Sequence, residues 1–267
     1  MQSLITFLSF CFGAIIGSFL NVVILRLPEG QSLNGRSHCV KCHHLLGAFD
    51  LIPLVSFVFL KGHCRYCGVK ISPRYFIVEL VCGLLFAAAF YSIRPADFSA
   101  AVLLLKYWLV LAALLAVFVI DFEHFLILDC IVFPAAGAAL ILNFVLDLSL
   151  HIKLLSLGSN LVSGLLGAAV LWLLFYAVWF FSSGKWLGFG DVKLAILLGL
   201  ILGWPLVLVG FMIAVIIGGA VSALLLAFFG KTLKSQIPFG TFLAIGAVLA
   251  LFYGDKLLNW YLAILGF

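Results

Sequence analysis

Polar positions are so sparse along this chain that the lengths of its apolar runs carry the structural information. Runs close to the roughly 17–25 residues that a bilayer demands of a helix recur eight times. They are Leu4–Leu25, Arg74–Ile93, Ala100–Ile120, Phe125–Leu146, Leu157–Phe181, Gly190–Gly203, Pro205–Phe229 and Phe239–Leu265. Each reads as a membrane helix, since a helix satisfies its own backbone polar groups without water. The sixth is short and joins the seventh through Trp204-Pro205 as a tight hairpin. The eighth is interrupted by Gly254-Asp255-Lys256. Small residues recur inside the spans, as at Gly164/Gly167 and Gly218/Gly219, which suits close helix packing in lipid. The one sizeable polar stretch is 26–73. Its apolar segment Asp50–Leu60 is short and broken by Pro53, so it is expected to lie on the membrane surface or pack on the rest of the loop.

The predicted fold is therefore all-α: a polytopic bundle of about eight transmembrane helices carrying a small loop domain. Residues 1–25 form the first helix, 26–73 the loop domain and 74–267 the remaining bundle. Composition agrees, with 66% hydrophobic and 9% charged residues, where a soluble chain carries roughly 25% charged. Membrane lipid is the expected surroundings, and a net charge of +5 is no nucleic-acid footprint. Met1 to Leu25 lacks a basic start and an A-x-A site, so it reads as a retained span.

Lys and Arg set the expected orientation. Of the 15 in the chain, Arg26, Arg36, Lys41, Lys61, Arg65, Lys70, Arg74, Lys185, Lys193, Lys231 and Lys234 fall on the side reached after the first helix. That side is expected to be cytoplasmic, with the N-terminus outside. Counting crossings then returns the 26–73 loop, Asp121 and Asp191 to one face, so a shared site is topologically allowed.

The loop holds Cys39-Val-Lys-Cys42 and Cys64-Arg-Tyr-Cys67, separated by 21 residues. Two such knuckles suit a closed tetrathiolate zinc site on Cys39, Cys42, Cys64 and Cys67, structural because no coordination position stays open. A loop this small gains its folding energy from such a metal. The rival reading is a pair of redox dithiols. His38, His43, His44 and His63 flank the knuckles as exposed or supporting imidazoles. Cys11, Cys82 and Cys130 sit in apolar runs as small hydrophobes.

The remaining chemistry rests on acids. Asp191 follows Gly188-Phe189-Gly190 at the mouth of an apolar run, and Asp121 closes another. Ionisable residues at such positions are functional hypotheses. Two close carboxylates share a proton, one drawing a proton from water and the other hydrogen-bonding a carbonyl, as peptide hydrolysis requires. The bland alternative is a helix cap or a local pair with Lys193. Asp129 competes for the role of Asp121. Glu79, one turn inside the second span, is a candidate partner of Arg26 or Arg74, or of a cofactor or substrate amine. Two other classes stay open on these residues alone: an ion-coupled transporter and a thiol oxidoreductase.

Taken together, the ordered motifs resemble the type IV prepilin leader peptidases, of the GxGD aspartic membrane protease class. Carrying the likeness are Gly17-Ser-Phe-Leu-Asn-Val-Val-Ile-Leu-Arg-Leu-Pro28, the two knuckles, Cys64-Arg-Tyr-Cys-Gly-Val-Lys-Ile-Ser72 with Val78-Glu-Leu80, Ile120-Asp121 and Gly188-Phe-Gly-Asp191. One departure is Leu128-Asp129, where the family often has Pro-Asp. The resemblance implies a bacterial inner-membrane enzyme that removes the basic leader from prepilins or pseudopilins of a type IV pilus or type II secretion system. Asp121 and Asp191 are its implied catalytic pair. The resemblance also implies N-methylation of the new N-terminus from S-adenosylmethionine. Leader docking is expected at a local acidic patch such as Glu29, Asp50 or Glu123.

Overall fold

A computed structural model of the chain describes residues 2–154, 156, 158–228 and 237–266. The described chain is all-α. Its helices are α1 (Gln2–Arg26), α2 (Val55–Phe59), α3 (Pro73–Ile93), α4 (Phe98–His124), α5 (Asp129–Ser149), α6 (Asn160–Phe181), α7 (Phe189–Leu202), α8 (Leu206–Phe228) and α9 (Phe239–Leu265), with a 3-10 turn at Ala48–Leu51. Among the described residues, seven of these helices are long and apolar enough to cross a membrane. The eighth expected span is α7, with 14 residues. Lys231 and Lys234, which entered the orientation argument, and the span ends Leu157 and Phe229 lie outside the described residues.

Helix boundaries follow local chemistry. Ser72 accepts the Arg74 amide and Pro73 opens α3, a site where its missing N–H is no loss. Asp97 caps α4 and Ser159 caps α6 through their side chains. Two expectations need correction. The polar stretch Asp121–His124 is the last turn of α4 rather than a loop, closed by Phe125 in the left-handed region at φ 55°. The following span starts at Asp129, so 125–128 form a short connection. Also, α9 runs unbroken through Gly254-Asp255-Lys256.

The chain divides into two compact units. The first holds Met1–Pro95 with Tyr107–Ala116, and the second Ala96–Lys106 with Val117–Phe267. In the first, α1 lies along α3, where Gly13 and Gly17 meet the α3 backbone so closely that a Cβ on either would stand 2.7–2.8 Å from it. Phe12, Phe86 and Trp108 cluster beside this seam. Arg26, nine-tenths buried, ends α1 by donating to the carbonyls of Ser32, Leu33, Asn34 and Arg36. It thereby folds the start of the loop rather than pairing with Glu79.

In the second unit α7 is the central element. Every residue from Asp191 to Leu202 is buried except Lys193 and Ile196, which are partly so. The cause is backbone approach: an added Cβ on Gly199 would overlap the main chain of Gly167 and Ala168 on α6. Asn143 on α5 donates to the Leu200 carbonyl at 2.8 Å. Gly210 and Gly246 make a similar crossing of α8 and α9. At the other end of this unit Asp147, fully buried, accepts the amides of Asn160 and Leu161 and so ties α5 to the start of α6. Buried Lys106 lies within its electrostatic reach.

Gly199→Leu is expected to destabilise the detergent-solubilised protein by at least the roughly 1–3 kcal/mol typical of overpacking. Gly219, with no atom within 4 Å of an added Cβ, is the matched control, and Gly219→Leu should leave thermal unfolding unchanged.

Candidate active site

Asp121 stands in the last turn of α4 and Asp191 in the first turn of α7. Both are buried, at 5% and 8% exposure. Such burial is expensive for a carboxylate that lacks partners. Asp121 has them: its Oδ2 accepts the Thr241 amide at 2.7 Å and the Thr241 hydroxyl at 3.1 Å. These donors belong to the first turn of α9, whose unsatisfied amides suit an anion. Asp191 differs. Its Oδ1 is buried with no hydrogen-bond partner, and its Oδ2 rests beside Gly188, 3.3 Å from where a Cβ would be. The Gly188 backbone hydrogen-bonds the Asp191 carboxyl, so Asp191 helps cap α7, as the sequence allowed, while its Oδ1 is left over.

Ile127, from the 125–128 connection, joins the two acids. A Cβ on Gly190, beside Asp191, would lie 3.0 Å from Ile127 Cβ. A Cβ on Gly240 would lie 2.9 Å from both Ile127 Cδ1 and Asp121 Oδ2. Ile127 therefore packs against the glycine that precedes Asp191 and against the glycine beside Asp121 Oδ2, and the two acids act on each other electrostatically. Glycine at 190 and 240 is what lets Ile127 pack against the first turns of α7 and α9, because a side chain at either position would overlap it.

Asp129 and Lys193 resolve differently from the alternatives the sequence left open. Lys193 Nζ meets both carboxylate oxygens of Asp129, at 2.8 and 2.7 Å. Two residues apart on a helix do not share a face, which separates Lys193 from Asp191. The pair joins the first turns of α5 and α7 and so fixes the α5 end of the connection that carries Ile127. The sequence did not signal Gly240 or Thr241. The available hint was Pro238-Phe239-Gly240-Thr241 opening a helix on the same face as both acids by crossing parity.

In the loop, the two knuckles repeat one geometry. Cys39 and Cys64 are buried, Cys42 and Cys67 exposed. In each, the residue four after the first cysteine takes a positive φ, 56° at His43 and 69° at Gly68, and donates to that cysteine's carbonyl. The four Sγ atoms lie within 4.8 Å of one another, and Cys39 and Cys67 are 3.8 Å apart. A tetrahedron with metal–sulfur bonds of about 2.3 Å has edges of about 3.8 Å, so the four thiols fit a metal. Their ionisation argues the same way. The Cys42 amide, aided by that of Lys41, holds the Cys39 thiol down to about 6 against its burial. The Val69 amide also favours the Cys67 thiolate, but burial and the neighbouring sulfurs push that thiol up to about 11. Four adjacent thiolates need a cation. The four flanking histidines are exposed and stand outside the cluster.

Asp50, expected as part of a leader-docking patch, is engaged inside the loop by the Gly47 amide, the Tyr66 hydroxyl and Arg65 at 2.7 Å. The Asp50–Leu60 segment turns Phe57 inward against Gly62 and Phe76. It leaves Val58 and Phe59 exposed, as is Phe49 just before it.

A multi-pass helical membrane protein with a convergent pair of buried carboxyls and a four-thiol cluster is the class this geometry defines. Residues 108–223 match the type IV leader peptidase family, and residues 11–93 match the bacterial peptidase A24 N-terminal domain. A prepilin leader peptidase/N-methyltransferase of Aeromonas hydrophila is 33% identical over 96% of this chain and 93% of its own length. One from Pseudomonas aeruginosa is 30% identical over 96% and 92%. One from Burkholderia pseudomallei is 31% identical over 91% and 83%. No solved structure matches. The chain belongs to the type IV leader peptidase family.

Since the Asp129–Lys193 pair is partly exposed, it should contribute about 1 kcal/mol or less to stability. Its effect should appear in turnover through Ile127. Asp129→Asn is expected to retain cleavage within roughly fivefold of wild type, the scale of such a pair. The exchange Asp129→Lys with Lys193→Asp should restore part of the deficit, measured as kcat on a detergent-solubilised substrate.

Proposed function

We propose that this protein removes the leader peptide from type IV prepilins or pseudopilins with Asp121 and Asp191, at the cytoplasmic face of the bacterial inner membrane. It then N-methylates the new terminus. The observation that carries this reading is the electrostatic coupling of the two buried acids at adjoining helix ends, with one carboxyl oxygen, Asp191 Oδ1, buried and without a hydrogen-bond partner among the described residues.

The chemistry follows from that asymmetry. Asp121 Oδ2 is held by two donors from Thr241, while Asp191 Oδ1 is free to meet a substrate carbonyl or a shared proton. One carboxylate draws a proton from water as the oxygen attacks the scissile carbonyl. The other, protonated, hydrogen-bonds the developing oxyanion. A transporter would place its broken helices and acids at mid-membrane, whereas these acids occupy helix-terminal turns.

The loop 26–73 is read as a domain held by zinc on Cys39, Cys42, Cys64 and Cys67. When bound, the metal would neutralise the thiolates and hold the two knuckles together, with no position left for chemistry. S-adenosylmethionine, the methyl donor that the resemblance implies, would enter as a cosubstrate.

Asp121→Asn and Asp191→Asn are each expected to abolish cleavage of a prepilin in membranes that still contain the inserted protein. The double variant should be no worse, since residues acting as a unit are not additive. Thr241→Val keeps the amide donor and loses the hydroxyl, so it should cost about tenfold, the scale of one hydrogen bond to a charged group. Normal cleavage by both Asn variants would remove the dyad reading. Elemental analysis should find one zinc per chain, absent in Cys39→Ser with Cys64→Ser. In that variant proteolysis should enter the loop between the knuckles while the membrane helices persist.

A further inference from the structure

The first unit carries a second buried carboxylate that the dyad chemistry does not use. Glu79 lies in α3, nine-tenths buried. Its Oε2 accepts the Leu54 amide at 2.8 Å, and the Ser18 hydroxyl of α1 also hydrogen-bonds it. No cation is among the groups acting on it. Leu54 delivers its amide from a left-handed conformation, φ 63° and ψ −48°, rare for a residue with its side chain. Such strain persists only where the surroundings enforce it.

Along the same α1–α3 seam, one turn away, stands Asn21. It follows Ser18 by three residues, hence shares its helix face. Its Nδ2 donates to the carbonyl of Tyr75, four residues before Glu79. A carbonyl accepts only, so this bond fixes which end of the amide is which. Asn21 Oδ1, on a side chain 3% exposed, then has no hydrogen-bond partner. Carboxylate and amide oxygen are two acceptors lining one seam, both on residues nine-tenths buried, with the Ser18 hydroxyl beside them donating to the carboxylate. The group that satisfies such a set is a primary ammonium, with three N–H donors and one charge.

Peptide hydrolysis creates one such group, on the C-terminal product, and relatives of this chain are named as N-methyltransferases. Resting on the function proposed above, we infer that Glu79, Asn21 and Ser18 form the site that receives the new N-terminal ammonium of the cleaved substrate for methyl transfer. Glu79 takes one proton from the ammonium, which frees the nitrogen lone pair. The nitrogen attacks the methyl carbon of a sulfonium donor. A C–N bond forms as the C–S bond breaks, its electron pair stays on sulfur as a thioether, and the product leaves as a methylammonium. The proton on Glu79 passes to water. Glu79 is on this account a catalytic residue of the second reaction, and Asn21 and Ser18 bind the amine.

The test separates the two reactions. Wild-type protein and the variants Glu79→Gln, Glu79→Asp and Asn21→Leu are incubated with prepilin and S-adenosylmethionine, and the product N-terminus is weighed by mass spectrometry. Binding of a synthetic mature N-terminal peptide is measured in parallel, with its amine free or acetylated. Glu79→Gln preserves an acceptor for Leu54, so cleavage should stay within about twofold. Methylation and the preference for the free amine should each fall about 10- to 100-fold, the range for losing a charged hydrogen bond. Glu79→Asp should recover part of both, and Asn21→Leu should weaken free-amine binding while still cleaving. Unchanged methylation and unchanged amine preference in Glu79→Gln would overturn the assignment. So would parallel loss of cleavage and methylation in Asn21→Leu and Glu79→Gln, which marks the seam as structural. Failure of wild type to cleave would instead count against the dyad reading, and leaves the free-amine preference in the binding arm to decide this one.

Discussion

Helix α7 is too short to cross a bilayer on its own, and the second unit is built to make that tolerable. Its 14 residues rise about 21 Å, against an apolar thickness of about 30 Å. Chain that stops inside lipid must have its backbone polar groups satisfied by protein. Ser163 on α6 does this at the far end of α7, its carbonyl accepting the Trp204 amide and its hydroxyl donating to the Trp204 carbonyl. Gly199 removes the side chain that would hold α6 away. The cost is one unpartnered amide oxygen, Asn143 Oδ1, left where α5, α6 and α7 meet. The result is a packed, shielded helix whose first turn fixes Asp191, which a lipid-exposed span would hold less rigidly.

That constraint explains what the sequence disclosed and what it did not. Span lengths were legible because bilayer thickness, a property of the solvent, sets them; α1, α3 and α9 match their apolar runs almost to the residue. Helix ends at the interface were not, since Asp121-Phe122-Glu123-His124 is polar enough for a loop and also serves as a last helical turn. Its end is decided by Phe125 adopting φ 55°, which composition does not encode. The two acids were legible through Gly188-Phe189-Gly190 and through crossing parity. Thr241 was not, because a threonine opening an apolar helix is ordinary until its hydroxyl and amide are seen on Asp121. Arg26 and Asp147 were missed for a related reason: each acts on backbone atoms, whose positions only the fold supplies.

The loop was the most legible part, for a chemical reason. Four cysteines in two like-spaced pairs suit a cation, and the repeated turn at His43 and Gly68 accompanies sulfurs within 4.8 Å of one another. What spacing did not reveal is how the knuckles are joined. Asp50 crosses from the middle of the connecting segment to Arg65 and Tyr66 of the second knuckle. Burial raises the Asp50 carboxyl, but the Gly47 amide, Tyr66 and Arg65 outweigh it and hold it below the usual carboxylate range. This stabilisation is present above the carboxyl's unfolded value and is lost as pH falls through the depressed folded value. Thiolate protonation likewise favours metal release in acid, so both ties of the loop weaken in the same direction.

Seen across both units, polar burial has two patterns. Where a buried charge serves the fold, its partners are complete: Asp147 takes both amides at the head of α6, and Arg26 uses its guanidinium on four carbonyls. Asn143 Oδ1 is left open by helix packing, but at Asp191 Oδ1 and at Asn21 Oδ1 beside Glu79 the groups missing on the proposed reading are ones a peptide substrate carries, a carbonyl for the acid pair and an amine for the acceptor seam. An unsatisfied atom destabilises the free protein, and that penalty is relieved on binding. Substrate and product affinity at both places then arise from the same physical source, with the hydrolysed product supplying the amine that the second place lacks.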